Sequence, residues 1–188
     1  MNRIIVVAFI TLDGIIEDPD GSGGTPAGGW AFRYGPEAVA GDKFQMGSRL
    51  DTGALLLGRA TWQSFATIWP GRNDDFSRKM NAAPKRVASR TLSDVSAWNN
   101  SQVIEGELIS EVQRLRGERD VIVIGSVGVV RTLMEHDLVD EYRLLVFPVM
   151  LGDGRRLFTS PARAGNLRLV SAQPSGPAAL LCYEHVRS

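Results

Sequence analysis

Gly58-Arg59-Ala60-Thr61 is the first place in the chain where residue types and spacing fit the binding of an anion. The corner interrupts the stretch LLLGRATWQSF (55 to 65), which turns there from unbroken apolar to polar with helical spacing. Ala54 to Leu57 shows no alternation, a pattern that predicts a short strand buried on both faces. Beyond the glycine, Trp62 and Phe65 lie three apart and share one face of a predicted helix over 59–67. A helix starting at the carboxyl end of a strand presents unpaired N–H groups and the positive end of its dipole. Arg59 adds a fixed charge with a planar donor fork, and the Thr61 hydroxyl either caps the helix or bonds a phosphate oxygen. A solvated arginine beside an ordinary cap fits the same residues, so this corner alone leaves both readings open.

A second corner resembles the first, and a third strand end adds polar groups. The strand expected at 120–124, apolar from Val121 onward, leads through Gly125-Ser126-Val127-Gly128 into a predicted helix that carries Val129, Val130, Leu133 and Met134. Its two glycines permit close approach of backbone to a ligand, and the helix start again offers N–H groups. Neither the Gly-x-Gly-x-x-Gly fingerprint nor a P-loop is present. At Ala88-Ser89-Arg90-Thr91 a hydroxyl and a guanidinium follow a third apolar run, where a ribose phosphate could be clasped. Three such corners at the carboxyl ends of strands favour a dinucleotide lying across them, with the helix ends on the pyrophosphate and either arginine on an extra phosphate.

The elements that must hold these corners alternate. Strands are expected at 3–10, 54–57, 86–89, 102–104, 120–124, 140–147, 167–172 and 179–186, with helices at 36–50, 59–67, 75–82, 107–116 and 127–136. Alternation up to residue 136 predicts parallel strands with crossover helices, and the strands that follow predict an antiparallel edge on the same sheet. The expected fold is therefore a three-layer α/β domain, mixed but mainly parallel, and 188 residues suit one such domain. The segment 17–35 is too rich in glycine and proline for regular structure. Such a loop is either a lid, with Trp30 and Phe32 covering a flat ligand, or plain surface.

Composition removes several function classes. The 21 basic and 21 acidic side chains cancel, so no global field draws the chain to nucleic acid or an acidic membrane. Cys182 is the single cysteine, expected to be a buried strand residue, and no Cys or His pair has metal-ligand spacing, so no metal is expected. Arg3 with the apolar run 4–12 is too short for a signal peptide and meets Asp13 and Gly14 at once, so a cytoplasmic location is expected. Asn99-Asn100-Ser101 fits a glycosylation sequon and is expected to be a turn.

The series TLDGII (11 to 16), LLLGRATW, VASRTL, VIVIGSVGVV, and Leu138 to Glu141 through FPVMLGDGRRLF (147 to 158) resembles the dihydrofolate-reductase-like family. That family includes the reductase domain of the bifunctional riboflavin-biosynthesis deaminase/reductase. The resemblance covers nearly the whole chain. It implies NADPH-dependent reduction of a pyrimidine or pterin-like heterocycle, and a homodimer. It places the cofactor's phosphates on Gly58, Arg59, Ala60 and Thr61, and its 2′-phosphate near Ser89 and Arg90. Gly125, Ser126, Gly128 and Val129 fall beneath the nicotinamide half, with first-strand backbone near Phe9 and Ile16. The family's acid on the first helix has only Glu37 and Asp42 as counterparts, and the glutamate usual before the glycine turn is Ile124. Neither His-x-Glu nor Pro-Cys-x-x-Cys occurs, so no zinc deaminase is encoded. Two rival readings remain: a non-catalytic nucleotide-binding or sensing module that has lost its substrate site, and a structural domain without a ligand.

Overall fold

The computed structural model describes residues 1–159 and 165–187. Its strands are β1 (Ile4–Thr11), β2 (Ala54–Gly58), β3 (Lys85–Ala88), β4 (Ser101–Val103), β5 (Val121–Ile124), β6 (Glu141–Phe147), β7 (Asn166–Ser175) and β8 (Ala178–Val186). They form one eight-stranded sheet in the order β4-β3-β2-β5-β1-β6-β8-β7. All pairings from β4 to β6 are parallel, whereas β6–β8 and β8–β7 are antiparallel. The carboxyl ends of β1, β2, β3, β5 and β6 thus share one edge.

The helices are α1 (Arg49–Thr52), α2 (Arg59–Ile68), α3 (Asp75–Ala82), α4 (Leu108–Glu118) and α5 (Val127–Glu135). Residues alternate across the sheet to meet them. Ile4, Val6, Leu56, Val121 and Val123 pack with Val112 and Leu115 of α4 and Val130 and Leu133 of α5. Ile5, Val7, Leu55, Leu57 and Ile122 pack on the other face with Leu50, Trp62 and Met80 of α1 to α3. Leu55, Leu56 and Leu57 are each 0% exposed. Burying each leucine stabilises the fold by about 2 kcal/mol, and this holds β2 and the corner at its end in place. Cys182 lies buried on β8, as expected. Among the described residues, no helix is long and apolar enough to cross a membrane.

The helix expected over 36–50 does not form. A single 3-10 turn at Pro36–Ala38 is followed by irregular chain as far as α1. Gly41, Gln45 and Gly47 adopt positive φ of 73°, 52° and 54°, and the Asp42 carboxylate accepts from the N–H groups of Met46 and Gly47. A side chain that captures local N–H groups competes with the helix ladder, and glycines in left-handed conformation end it. Of Asn99-Asn100-Ser101 the two asparagines form a turn, with Asn100 at φ +58°, and Ser101 opens β4.

Candidate functional site

β2 and β5 are neighbours, yet the chain leaves β2 into α2 on one face and leaves β5 into α5 on the other. A crevice opens at the carboxyl edge where adjacent strands send their helices to opposite sides. Both helix starts face this edge, and neither is closed by a capping side chain. Thr61 is therefore not a cap of α2.

The first two corners interlock. Ser126 sits at φ +58°, after Gly125 at φ +57°. This double left-handed step turns its hydroxyl to the end of β2. There Ser126 Oγ accepts the Gly58 N–H at 2.7 Å and lies 3.0 Å from Thr61 Oγ1 and 3.1 Å from the Ile124 carbonyl. Its single proton serves one of the last two. Close packing explains the glycines: a Cβ on Gly58 would lie 3.2 Å from Ser126 Oγ and 3.7 Å from Val129, and one on Gly125 would lie 3.4 Å from Thr61 Oγ1. Gly128 is open, with nothing within 4 Å of the Cβ position.

The third corner joins the first through Arg59, whose Nη1 donates to Thr91 Oγ1 at 3.0 Å. Ser89 Oγ accepts from the N–H groups of Thr91 and Leu92 and so shapes the turn after β3. Arg59, Ala60 and Arg90 are exposed. Gly58, Arg59, Thr61, Ser89, Gly125, Ser126 and Val129 are thus brought together, with two uncapped helix ends and two guanidinium groups along one edge. Such donors suit a pyrophosphate with a further phosphate nearby.

The other expected residues lie apart from this edge or have other work. Phe9 and Ile16 fall on opposite faces of the sheet: Ile16 packs with the α4–α5 core, while Phe9 stacks on Phe44 with centroids 5.4 Å apart. Trp30 offers no lid surface. It is 0% exposed, set edge-on to Phe147 at 5.6 Å, and its Nε1 donates to the Glu17 carbonyl. An indole with its one donor satisfied belongs in a core, and here it pins the loop. Phe32 is 49% exposed. Glu37 is exposed, and Asp42 is consumed in its own turn, so no hydrogen bond joins either acid to the corners.

Several residues that shape the site were not singled out from sequence. Asp18 holds the glycine-rich loop by accepting from Gly23 N–H, Thr25 N–H and the Thr25 hydroxyl. These bonds outweigh its burial and keep its carboxyl below the usual range. Asp20 and Ser22 then reach Ser64 of α2, so the loop runs from the end of β1 across to that helix. Asp13 accepts from the Thr11 hydroxyl and from Gly152 and Leu151 N–H, which lowers its carboxyl as well and ties the 148–157 segment to β1. The Asx pattern Asp18-Pro19-Asp20-Gly21 was the available signal for the loop. Asp13 offered none beyond its place in TLDG, because its partners lie far along the chain.

The RibD C-terminal domain family matches residues 2–181 of this chain. The uncharacterized protein YyaP of Bacillus subtilis is 28% identical over 178 residues, covering 91% of this chain and 88% of that protein. A pyrimidine reductase-like protein from Corynebacterium diphtheriae superposes with a TM-score of 0.67 at 12% identity, covering 100% of this chain and 93% of its own. RibD of Acinetobacter baumannii superposes with a TM-score of 0.62 at 13% identity, covering 100% of this chain and 59% of its own. These structures share the fold seen here.

Proposed function

The chain belongs to the RibD C-terminal domain family, and from that premise we propose that it is an NADPH-dependent reductase of a small heterocycle, pyrimidine or pterin-like. The observation that carries this reading is the interlocked pair of uncapped helix starts with Arg59 beside them. The donor set fits the cofactor. N–H groups of the α2 and α5 first turns would take the pyrophosphate, open space at Gly128 admits it closely, and Arg59 or Arg90 would take the 2′-phosphate. A bound reduced nicotinamide supplies the hydride. The protein's own part is to position the two rings and exclude water. Phe9 and Ile124 floor one side of the sheet there, and the glycine-rich loop reaches across to Ser64.

Glu37, Asp42 and Asp13 are all turned to other contacts or to solvent, so the proton comes from water. The rival reading, a nucleotide-binding module without turnover, is favoured by the fact that, among the described residues, no acid is hydrogen-bonded to the corners. Oxidation of NADPH by a panel of pyrimidine and pterin acceptors separates the two. Turnover with any acceptor supports the reductase, and tight NADPH binding without turnover supports the module. We also infer a homodimer built on β7, whose Leu167, Leu169 and Val170 are 40%, 53% and 52% exposed along an unpaired strand edge.

A further inference from the structure

Phe9 marks where the crevice turns aromatic. Val7 is the last residue of β1 in register with β5, opposite Ile124, so Phe9 stands two positions further on the same face, past the Gly125 turn. On the reductase reading, Arg59 and Arg90 draw the phosphorylated adenosine half toward β3. The nicotinamide half then runs the other way, across the end of β5 toward Phe9. Phe44 stacks on Phe9 at an interplanar angle of 22° and remains partly exposed, so its ring is apolar surface beside that end.

The chain around Phe44 does not fix this ring by itself. The helix expected over 36–50 is absent, so the Phe44 carbonyl has no ladder partner, and the Asp42 carboxylate takes only the N–H groups of Met46 and Gly47. The tie comes from the sheet. Arg143 of β6 lies in register between Val7 and Cys182, and its Nη1 donates to the carbonyls of Phe44 at 2.8 Å and Gln45 at 2.5 Å. Among the described residues, no other donor reaches either carbonyl. Gln45 sits at φ +52°, a conformation that persists only where its surroundings over-determine it.

The guanidinium is itself gripped from behind. Its Nε pairs with Glu141 Oε1 at 2.5 Å, and Glu141, 4% exposed, takes Arg3 on its other oxygen at 3.1 Å. A planar fork held at one edge by a buried carboxylate can aim its remaining donors in one plane only. We propose that Arg143 is a positioning residue of the site: through the carbonyls of Phe44 and Gln45 it sets the Phe44 ring on Phe9 at the nicotinamide end. The inference rests on the reductase reading. Arg143 acts through Phe44 and touches neither cofactor nor acceptor. Lysine does not replace it, because one ammonium on a flexible stem lacks the separate nitrogens that face Glu141 and the carbonyls at once.

Fluorine NMR of the full chain labelled with 4-fluorophenylalanine tests this, each resonance being assigned by its own Phe→Leu variant. Saturation with NADP⁺, followed by tryptophan fluorescence, is expected to shift the Phe44 resonance of the parent. In Arg143→Met that resonance should leave its parent position before any nucleotide is added and lose the NADP⁺ shift. Phe65 and Phe76, which pack on Trp69 instead, should stay in place. Should Arg143→Met unfold, Arg143→Lys, which keeps a charge beside Glu141, carries the same expectation. An unmoved Phe44 resonance in a folded variant overturns the proposal, and so does displacement of Phe65 and Phe76 in both variants, which marks a general loosening. A parent Phe44 resonance that ignores NADP⁺ although the nucleotide binds overturns it as well. Failure of both NADPH and NADP⁺ to bind the parent overturns the reductase reading instead, and the ligand-free spectra still decide whether Arg143 sets the ring.

Discussion

Ser126 offers the sharpest structural perturbation, because one hydroxyl joins two corners of the crevice. Ser126→Ala removes the acceptor of the Gly58 N–H and one further bond to Thr61 Oγ1 or the Ile124 carbonyl. A buried donor left without its partner costs about 1–3 kcal/mol, and Gly58 is only partly buried, so the low end applies. With roughly 1 kcal/mol for the second bond the total is about 2 kcal/mol. Ser126 also sits at φ +58°, where a residue with a Cβ carries about 1 kcal/mol of strain. Ser126→Gly loses the same bonds and relieves that strain, so its net loss is about 1 kcal/mol. Urea denaturation of the two variants gives the comparison, and the expected melting-temperature losses are roughly 4–8 °C and 2–4 °C for a chain of this size. Values for both variants within about 0.5 kcal/mol of the parent would refute the interlock. Ser126→Gly as destabilised as Ser126→Ala would refute the strain.

Other predictions concern the loop, two titratable groups and the sheet edge. Gly28→Ala would place a Cβ 2.2 Å from Asp18 Oδ2, displacing the carboxylate from its donors, so proteolysis within 18–29 should accelerate; an unchanged rate would contradict the Asp18 anchor. Burial pushes the Lys85 ammonium down to about 8 from 10.5, below its unfolded value. The unfolded chain then binds more protons between pH 8 and 10.5, so stability rises through that window and Lys85→Met should lack the rise. Parallel pH curves for parent and variant would contradict it. The Asp13 carboxyl is lowered first by the Thr11 hydroxyl and then by Gly152 N–H, so its stabilisation is present above pH 3.8 and is lost as pH falls through the lower folded value. Asp13→Asn should blunt that acid transition, and an identical acid melting profile would oppose the assignment. Leu169→Lys should turn a dimer into a monomer in light scattering, whereas a dimer persisting in the variant would remove β7 from the interface.

The parts of this fold that were legible in sequence are those where neighbours in the chain determine the outcome. Ala54 to Leu57, Val121 to Ile124 and the first strand are apolar without alternation because helices cover both faces, and their glycine corners follow directly. The segment 36–50 misled because apolar Val39, Met46 and Leu50, at i, i+7 and i+11, mimic a helical face, while the local hydrogen bonds of Asp42 and three positive φ angles decide the backbone. Trp30 in a glycine-rich loop resembles a lid residue, and the cluster it joins with Leu145, Phe147 and Leu180, all more than a hundred positions away, makes it core. The union of Gly58 and Ser126 is likewise a contact across 68 residues, and no spacing rule reveals it.

The central claim, that the interlocked corners hold a phosphorylated nicotinamide dinucleotide, is tested most directly by titrating the full chain with NADPH and NADH under tryptophan fluorescence. Arg59→Ala and Arg90→Ala are titrated alongside. The account predicts tight NADPH binding, weaker NADH binding, and a loss of about 1.5–3 kcal/mol in at least one variant, the range for a charged hydrogen bond. No binding of either nucleotide, or NADPH affinity unchanged in both variants, would contradict it.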